Sequence, residues 1–291
     1  MSSTRTIETG NCSRGPLMTE NAFDPDAFRA FEHEGWNRLY EGYHSAWEHL
    51  TTQAVSPMLD ATNVEAGSVV LDVASGPGYV SGAAASRGAK TIGVDLSEKM
   101  TELAAANYPD LKFQLGDAEG LPFSENFFDA VLINFGVLHF PDADRALSEA
   151  FRVLKRGGRL GFTAWAGPEG SAIGIAMGAV AKEGTLDVDL PQGTPIFRFA
   201  DHEECQRVLK GIGFEDCSCT NLLLTWRLPR VDALMESFRN AAVRMSGVLG
   251  VQDPEVLPAI SAAMTEGCKP FDKGGHTALP MPAVLTVGTK A

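Results

Sequence analysis

The sequence predicts an α/β fold, a doubly wound and mostly parallel sheet with helices on both faces. Three observations carry that prediction. Apolar strand-like runs alternate with helix-periodic stretches from residue 68 to about 165, which is the rhythm of consecutive βαβ units. The first run, Val69-Val70-Leu71-Asp72-Val73, breaks into the small-residue turn Ala74-Ser75-Gly76-Pro77-Gly78, as at a ligand site beyond the carboxyl end of a parallel strand. Successive runs then end in acids, Asp72, Asp95 and Asp117, at near-equal intervals.

Taken in order, residues 1–20 are rich in Ser, Thr, Gly and Asn without a period and read as a mobile tail. Residues 21–60 form a helical lid. Phe28, Phe31, Trp36, Leu39, Tyr40, Tyr43, Trp47 and Leu50 recur there at three- and four-residue steps. The rest of the chain, 61–291, is one ligand-binding domain. Strand 68–74 leads into helix 78–88, whose Gly82, Ala83, Ala84 and Ala85 let it lie close on the sheet. Thr91-Ile92-Gly93-Val94-Asp95 is the second strand, and Ser97 caps the following helix. The third runs from Leu111 toward Asp117. The fourth, Phe128–Gly136, is nearly all apolar and therefore central.

The loop Val137–Pro141 follows at the rim where catalytic groups gather. Helix 142–155 should end at Gly157 and Gly158, ahead of strand 159–165. Beyond it the rhythm breaks. Residues 166–200 read as an insertion, Asp201 with Glu204 as a capping box, 216–227 as a strand, 230–247 as one helix and 254–267 as another. Thr277–Gly288 is a final strand whose prolines confine its start to an edge or a bulge. The segments 166–200 and 230–267 would shape the acceptor side of the site.

Composition narrows the function. A hydrophobic share of 44% and a charged share of 21% suit a globular protein. A net charge of −13 without a Lys/Arg cluster excludes phosphate-backbone binding and attraction to an anionic membrane, so no nucleic acid and no membrane are expected as partners. No apolar run reaches 18 residues and no signal segment is evident. The odd, scattered set of five cysteines suits a reducing, cytoplasmic setting. Cys217-Ser218-Cys219 reads as strand alternation, and no His follows a metal-ligand spacing, so no metal is expected. The oligomeric state stays open.

Charge also speaks to the ligand. A carboxylate at the tip of the first strand repels a pyrophosphate and attracts an ammonium or sulfonium group. The dinucleotide fingerprint G-x-G-x-x-G fails as well, since Ser81 stands at its last position. A nicotinamide-linked oxidoreductase is therefore disfavoured. Asp95 suits a ribose, whose two hydroxyls one carboxylate can accept. Asp117 and the Ala118 amide suit an adenine.

Together these residues resemble the class I S-adenosylmethionine-dependent methyltransferases over about residues 68–165. Asp72–Gly78 is similar to that family's glycine-rich first motif, with Ala74 where many members have Gly. The resemblance implies a Rossmann-like seven-stranded sheet with the last strand inserted antiparallel. It implies S-adenosylmethionine as cofactor, held by Asp72, Ala74, Ser75, Gly76, Gly78, Asp95, Leu96, Met100, Asp117, Ala118 and Asn134. Gly116–Phe123 and Phe128–Val131 resemble the branch containing ubiquinone/menaquinone C-methyltransferases and small-molecule O- and N-methyltransferases. The expected activity is methyl transfer to a small organic acceptor, at O or N. A quinone-type C-methyltransferase and a non-catalytic S-adenosylmethionine binder are the alternatives. In-line displacement needs alignment above all, and a general base only for an acceptor that arrives protonated. His139, just past strand four, is the first candidate for that base, followed by Tyr43 and His44.

Overall fold

The computed structural model describes residues 23–291, so the tail expected over 1–20 lies outside the described residues. Seven strands form one sheet: β1 Val69–Val73, β2 Lys90–Asp95, β3 Lys112–Leu115, β4 Phe128–Asn134, β5 Leu154–Trp165, β6 Phe214–Leu228 and β7 Thr277–Lys290. Their order is β3-β2-β1-β4-β5-β7-β6. β1 pairs parallel with β2 and β4, β2 with β3, and β4 with β5, while β7 runs antiparallel between β5 and β6. The direction of winding reverses between β1 and β4, and a crevice opens beyond their carboxyl ends.

The prolines of β7 sit as their missing N–H groups require. β5 pairs with β7 only as far as Ala283; beyond it Pro282 meets that side only as an acceptor, from the Ala166 N–H at 3.0 Å, and Pro280 pairs with β6 alone, so no ladder bond to β5 lacks a donor.

Helices α3 Tyr79–Ser86, α4 Glu98–Asn107 and α5 Ala143–Val153 join the parallel strands. Ser97 caps α4, its hydroxyl accepting from the Met100 N–H at 3.1 Å. Two expectations fail here. α5 does not run to the glycines. It stops at Val153, Leu154 is already extended, and Gly157 with φ +80° lies inside β5 where its register shifts against β4. Asp201 does cap the helix Leu209 belongs to, α7 His202–Ile212, but the box stays open: Glu204 turns back to accept from Arg198 at 2.9 Å. An arginine offers a charged partner, stronger than a backbone N–H.

The N-terminal stretch is α1 Pro25–Thr51, a 3₁₀ turn and α2 Val55–Ala61. Asp24 accepts from the Asp26 and Ala27 N–H groups and Pro25 occupies the first turn. In the 166–200 segment the chain forms α6 Ala172–Glu183, and further on α8 Leu234–Ala241, α9 Val243–Gly250 and α10 Leu257–Cys268. The single helix expected over 230–247 is thus two, broken at Ala242, which is extended at φ −128°, ψ 106°. The cause is the close approach of α1. A Cβ on Gly42 would lie 1.9 Å from the Asn240 carbonyl oxygen, and one on Gly35 2.3 Å from Val243 Cγ1, so the chain bends to follow α1 through both contacts.

These helices share one apolar cluster with α1 around Trp47, Trp165, Trp226 and Phe238. The Trp226 indole N–H donates to the Ala46 carbonyl at 2.8 Å. Cys217 and Cys219 stand two apart on β6.

Candidate functional site

The loop after β1 sets the floor of the site. Ala74, Gly76 and Gly78 all have left-handed backbone, at φ +54°, +50° and +87°. Asp95, at the end of β2, pins that loop. One carboxylate oxygen accepts from the Gly76 N–H at 2.8 Å and the other from the Ser97 N–H at 2.9 Å. Each oxygen keeps a lone pair for a further donor, and burial raises the Asp95 carboxyl above the usual range.

Across the crevice, the end of β4 is also strained, with Phe135 at φ +58° and its ring stacked on Trp165, centroids 4.0 Å apart. Non-glycine residues in this region cost on the order of 1–3 kcal/mol and gather at functional sites. Asn134 ties the strand end to α1: it accepts from the Thr163 hydroxyl at 2.8 Å and donates to the Thr51 carbonyl at 3.2 Å.

A cavity of about 340 Å³ lies between these strand ends and α1. Ala74, Gly76, Asp95, Leu96, Met100, Asp117, Ala118 and Asn134 line one half, as the sequence predicts. His139 and Tyr43 also line it. The other half is walled by Trp47, Trp165, Ile173, Met177, Phe238 and Met245, contributed by α1, β5, α6, α8 and α9.

Four expected residues do not line it. Asp72 is 1% exposed and turned beneath the loop, where its Oδ2 accepts from the Ser81 N–H at 2.9 Å and the Ser81 hydroxyl at 2.8 Å. The free N–H groups at the start of α3 capture it, and burial pushes its carboxyl up to about 7. The anionic character of the crevice therefore comes from Asp95, Asp117 and Glu32. Ser75 is buried, its N–H donating to the Val94 carbonyl. Gly78 opens α3, and a Cβ there would press on Phe113 at 2.8 Å. His44 faces α3 instead of the cavity, its Nδ1 2.6 Å from the Tyr79 hydroxyl. Tyr43 reaches the cavity, but desolvation pushes its phenol up to about 12. It stays protonated at neutral pH, so it is fitted to donate a hydrogen bond and not to act as the base.

α1 also brings residues that the sequence reading misses. Arg29 donates from Nε to Asp117 at 2.8 Å and from Nη2 to Glu119 at 2.8 Å. Asn37 donates to Glu98 at 2.8 Å and accepts from the Ser97 hydroxyl at 2.7 Å. Glu32 is 2% exposed and lies 2.9 Å from His139 Nδ1, with its second oxygen, Oε1, buried and unpartnered. Arg244 of α9, desolvated and lowered from its ordinary value, donates to the Thr194 carbonyl at 2.8 Å. One signal was available for Glu32: it interrupts an apolar stripe between Phe28 and Leu39, where a charge needs a buried partner.

A family profile described as a methyltransferase domain matches residues 71–162. Over those residues the chain is similar to the methyltransferase domains of class I, S-adenosylmethionine-dependent enzymes. A demethylmenaquinone methyltransferase of Renibacterium salmoninarum is 41% identical over 103 residues, covering 35% of this chain and 44% of that protein. A protein named ubiquinone/menaquinone biosynthesis C-methyltransferase UbiE, from Edwardsiella ictaluri, is 29% identical over 206 residues, covering 62% of this chain and 77% of that protein. The chain thus spans about half the length of the first curated relatives it matches. Among solved structures, phosphoethanolamine N-methyltransferase 2 of Haemonchus contortus, in complex with S-adenosylhomocysteine, superposes with a TM-score of 0.58 at 19% identity. It covers 92% of this chain and 61% of that one, a likeness of fold.

The cofactor of methyltransferase domains of this class is S-adenosylmethionine, and the crevice fits it. A Cβ on Gly76 would meet nothing within 4 Å, so the loop offers open backbone to the crevice. The lining carboxylates match a cationic ligand, and Arg29, the cation at this end, is already paired with Asp117 and Glu119. A diphosphate finds no match there. Among the described residues no three His, Cys, Asp or Glu side chains gather as a metal site would, and no helix is long and apolar enough to cross a membrane.

Proposed function

We propose that the chain transfers a methyl group from S-adenosylmethionine to a small, largely apolar organic acceptor. The observation that carries this reading is one cavity lined by carboxylates from the ends of β2 and β3 and by aromatic and aliphatic side chains from β5 and the helices beyond it, with His139 following β4, which lies between β2 and β5 in the sheet. Bound in the first half, the cofactor supplies an electrophilic methyl on a sulfonium sulfur.

The chain's own part is to bind, align and keep water out. Asp95 accepts ribose hydroxyls, Asp117 and the Ala118 amide take the adenine edge, and Leu96 and Met100 supply apolar faces to the ring. Residues 21–60 act as the lid, and the segments 166–200 and 230–267 shape the acceptor half. Alignment of two reactants in a dry cavity is the main source of rate. A quinone-type acceptor, methylated at carbon, is the second reading, favoured by the names of the quinone-methylating relatives and by the aromatic wall. A cytoplasmic setting and partners limited to small molecules complete the proposal.

The test is direct. S-adenosylhomocysteine should bind in calorimetry, and a screen of phenols, hydroquinones, amines and thiols should yield a methylated product. Binding without turnover across the screen would leave a non-catalytic binder. D95A should weaken cofactor binding by roughly 1.5–3 kcal/mol, the worth of hydrogen bonds to a charged acceptor. Unchanged affinity in D95A removes Asp95 from the ribose site.

A further inference from the structure

We propose that Glu32 is a positioning residue for His139, and that the pair serves to deprotonate a hydroxyl on the acceptor, so the substrates of this cavity are phenol-like. The inference rests on the methyl-transfer reading above and narrows it to one acceptor class.

The geometry is that of an oriented base. Glu32 comes from α1 and His139 from the turn Val137–His139 beyond β4, more than 100 residues away, yet Oε2 and Nδ1 lie 2.9 Å apart. Glu32 is 2% exposed, and a carboxylate buried so deeply is costly unless it is hydrogen-bonded. A carboxylate can only accept, so the Nδ1 of His139 carries the proton in this contact. The lone pair then sits on Nε2, which has no protein partner among the described residues. Trp36 holds the ring from the side, edge to face at 5.0 Å, and the His139 N–H is anchored to the Gly136 carbonyl at 2.9 Å. A base oriented by a third group in this manner is the general logic of His–carboxylate catalysis. The other groups acting on the pair are Asp95 at the end of β2, which His139 influences electrostatically, and Arg244 on α9, which Glu32 influences. Tyr43 from α1 lines the same cavity and stays protonated.

A neutral amine brings its own lone pair and needs no such device, whereas a hydroxyl of ordinary acidity does. The balance is simple. The acceptor O–H gives its proton to His139 Nε2, and its oxygen keeps the electron pair. The O–C bond forms as the C–S bond breaks, and that bond's pair stays on sulfur as a neutral thioether. Glu32 stabilises the imidazolium until the proton leaves.

The experiment compares wild type, E32Q and E32D. Gln can still accept the Nδ1 proton, so E32Q removes the charge while keeping the shape. Without turnover, a nitrophenol is titrated into each protein saturated with S-adenosylhomocysteine, and the absorbance of its ionised form is read. Wild type should raise the ionised fraction above that in buffer, E32Q should not, and E32D should be intermediate. In turnover, a series of phenols of graded acidity is used. E32Q, which keeps His139, should lose about 10²-fold in kcat for weakly acidic phenols, the low end of what general base catalysis contributes, and little for phenols already ionised at the assay pH.

A uniform loss across the series, or an ionised fraction equal in wild type and E32Q, overturns the role of Glu32. So does methylation of amines with no hydroxyl accepted. Wild type that binds S-adenosylhomocysteine but methylates nothing overturns the methyl-transfer reading itself. Should E32Q fail to fold, E32D and H139Q carry the same comparison.

Discussion

Asp72 shows how one residue can be placed correctly and still be misread. Its position at the tip of β1 is legible, because an apolar run followed by an acid and a small-residue turn has few other meanings. The direction of its carboxyl is not, since alternation along a strand names a face and not a partner. The start of α3 wins the contest for it, with two donors from Ser81. Asp95 and Asp117, by contrast, do line the crevice, at successive strand ends. Glu32 is missed because its partner lies far along the chain.

The buried state of Asp72 has a measurable consequence. Its folded carboxyl, near 7, lies above the unfolded value of about 3.9. The folded state therefore holds the proton more tightly, and the stability linked to this group is full below about pH 4 and lost as pH rises through 7. The ceiling on that loss is about 4 kcal/mol. D72N, which keeps an acceptor for Ser81, should gain on wild type between pH 5 and 8 in urea unfolding. A difference between the two proteins that is flat across that range would show that Asp72 ionises freely in the fold.

At the scale of elements, the strand and helix rhythm over 68–165 is legible because burial on both faces leaves continuous apolar runs. The boundaries that fail are those where a neighbour decides. α5 ends early because Leu154 pairs with Phe128 in the sheet, and the 230–247 helix breaks because α1 occupies its path through Gly35 and Gly42. α1 itself is held over the crevice by polar contacts at one end and by the Trp47 cluster at the other. Arg29 is the clasp over the β3 end of the crevice, about a quarter exposed and joined to both Asp117 and Glu119. The pair with the part-exposed Asp117 contributes at most about 1 kcal/mol, but Glu119 is only 4% exposed and would lose its cation, so R29A should cost more than a surface pair and loosen the first turns of α1. Amide exchange over residues 25–40 should quicken by about fivefold or more, and S-adenosylhomocysteine should dissociate faster. Exchange that stays at the wild-type rate would mean the Trp47 end alone holds the helix.

For the whole molecule, the cofactor crevice is not a pit in a finished body. Its floor is the sheet, its roof is α1, and its far wall is built from α6, α8 and α9, which share an apolar cluster with α1 and with β5, β6 and β7. A ligand in that crevice touches pieces drawn from most of the chain, so it should stabilise the domain as one unit. Binding to the folded state alone adds RT ln(1 + [L]/Kd), about 2.7 kcal/mol at a hundredfold excess over Kd. For a domain of this size 1 kcal/mol moves Tm by roughly 2–4 °C, so saturating S-adenosylhomocysteine should raise Tm by roughly 5–10 °C in a single transition. Were the lid and the acceptor wall a separate unit, the melt would split, with only the sheet responding to ligand. A second, ligand-insensitive transition in calorimetry would therefore count against the shared core as the device that couples acceptor site to cofactor site.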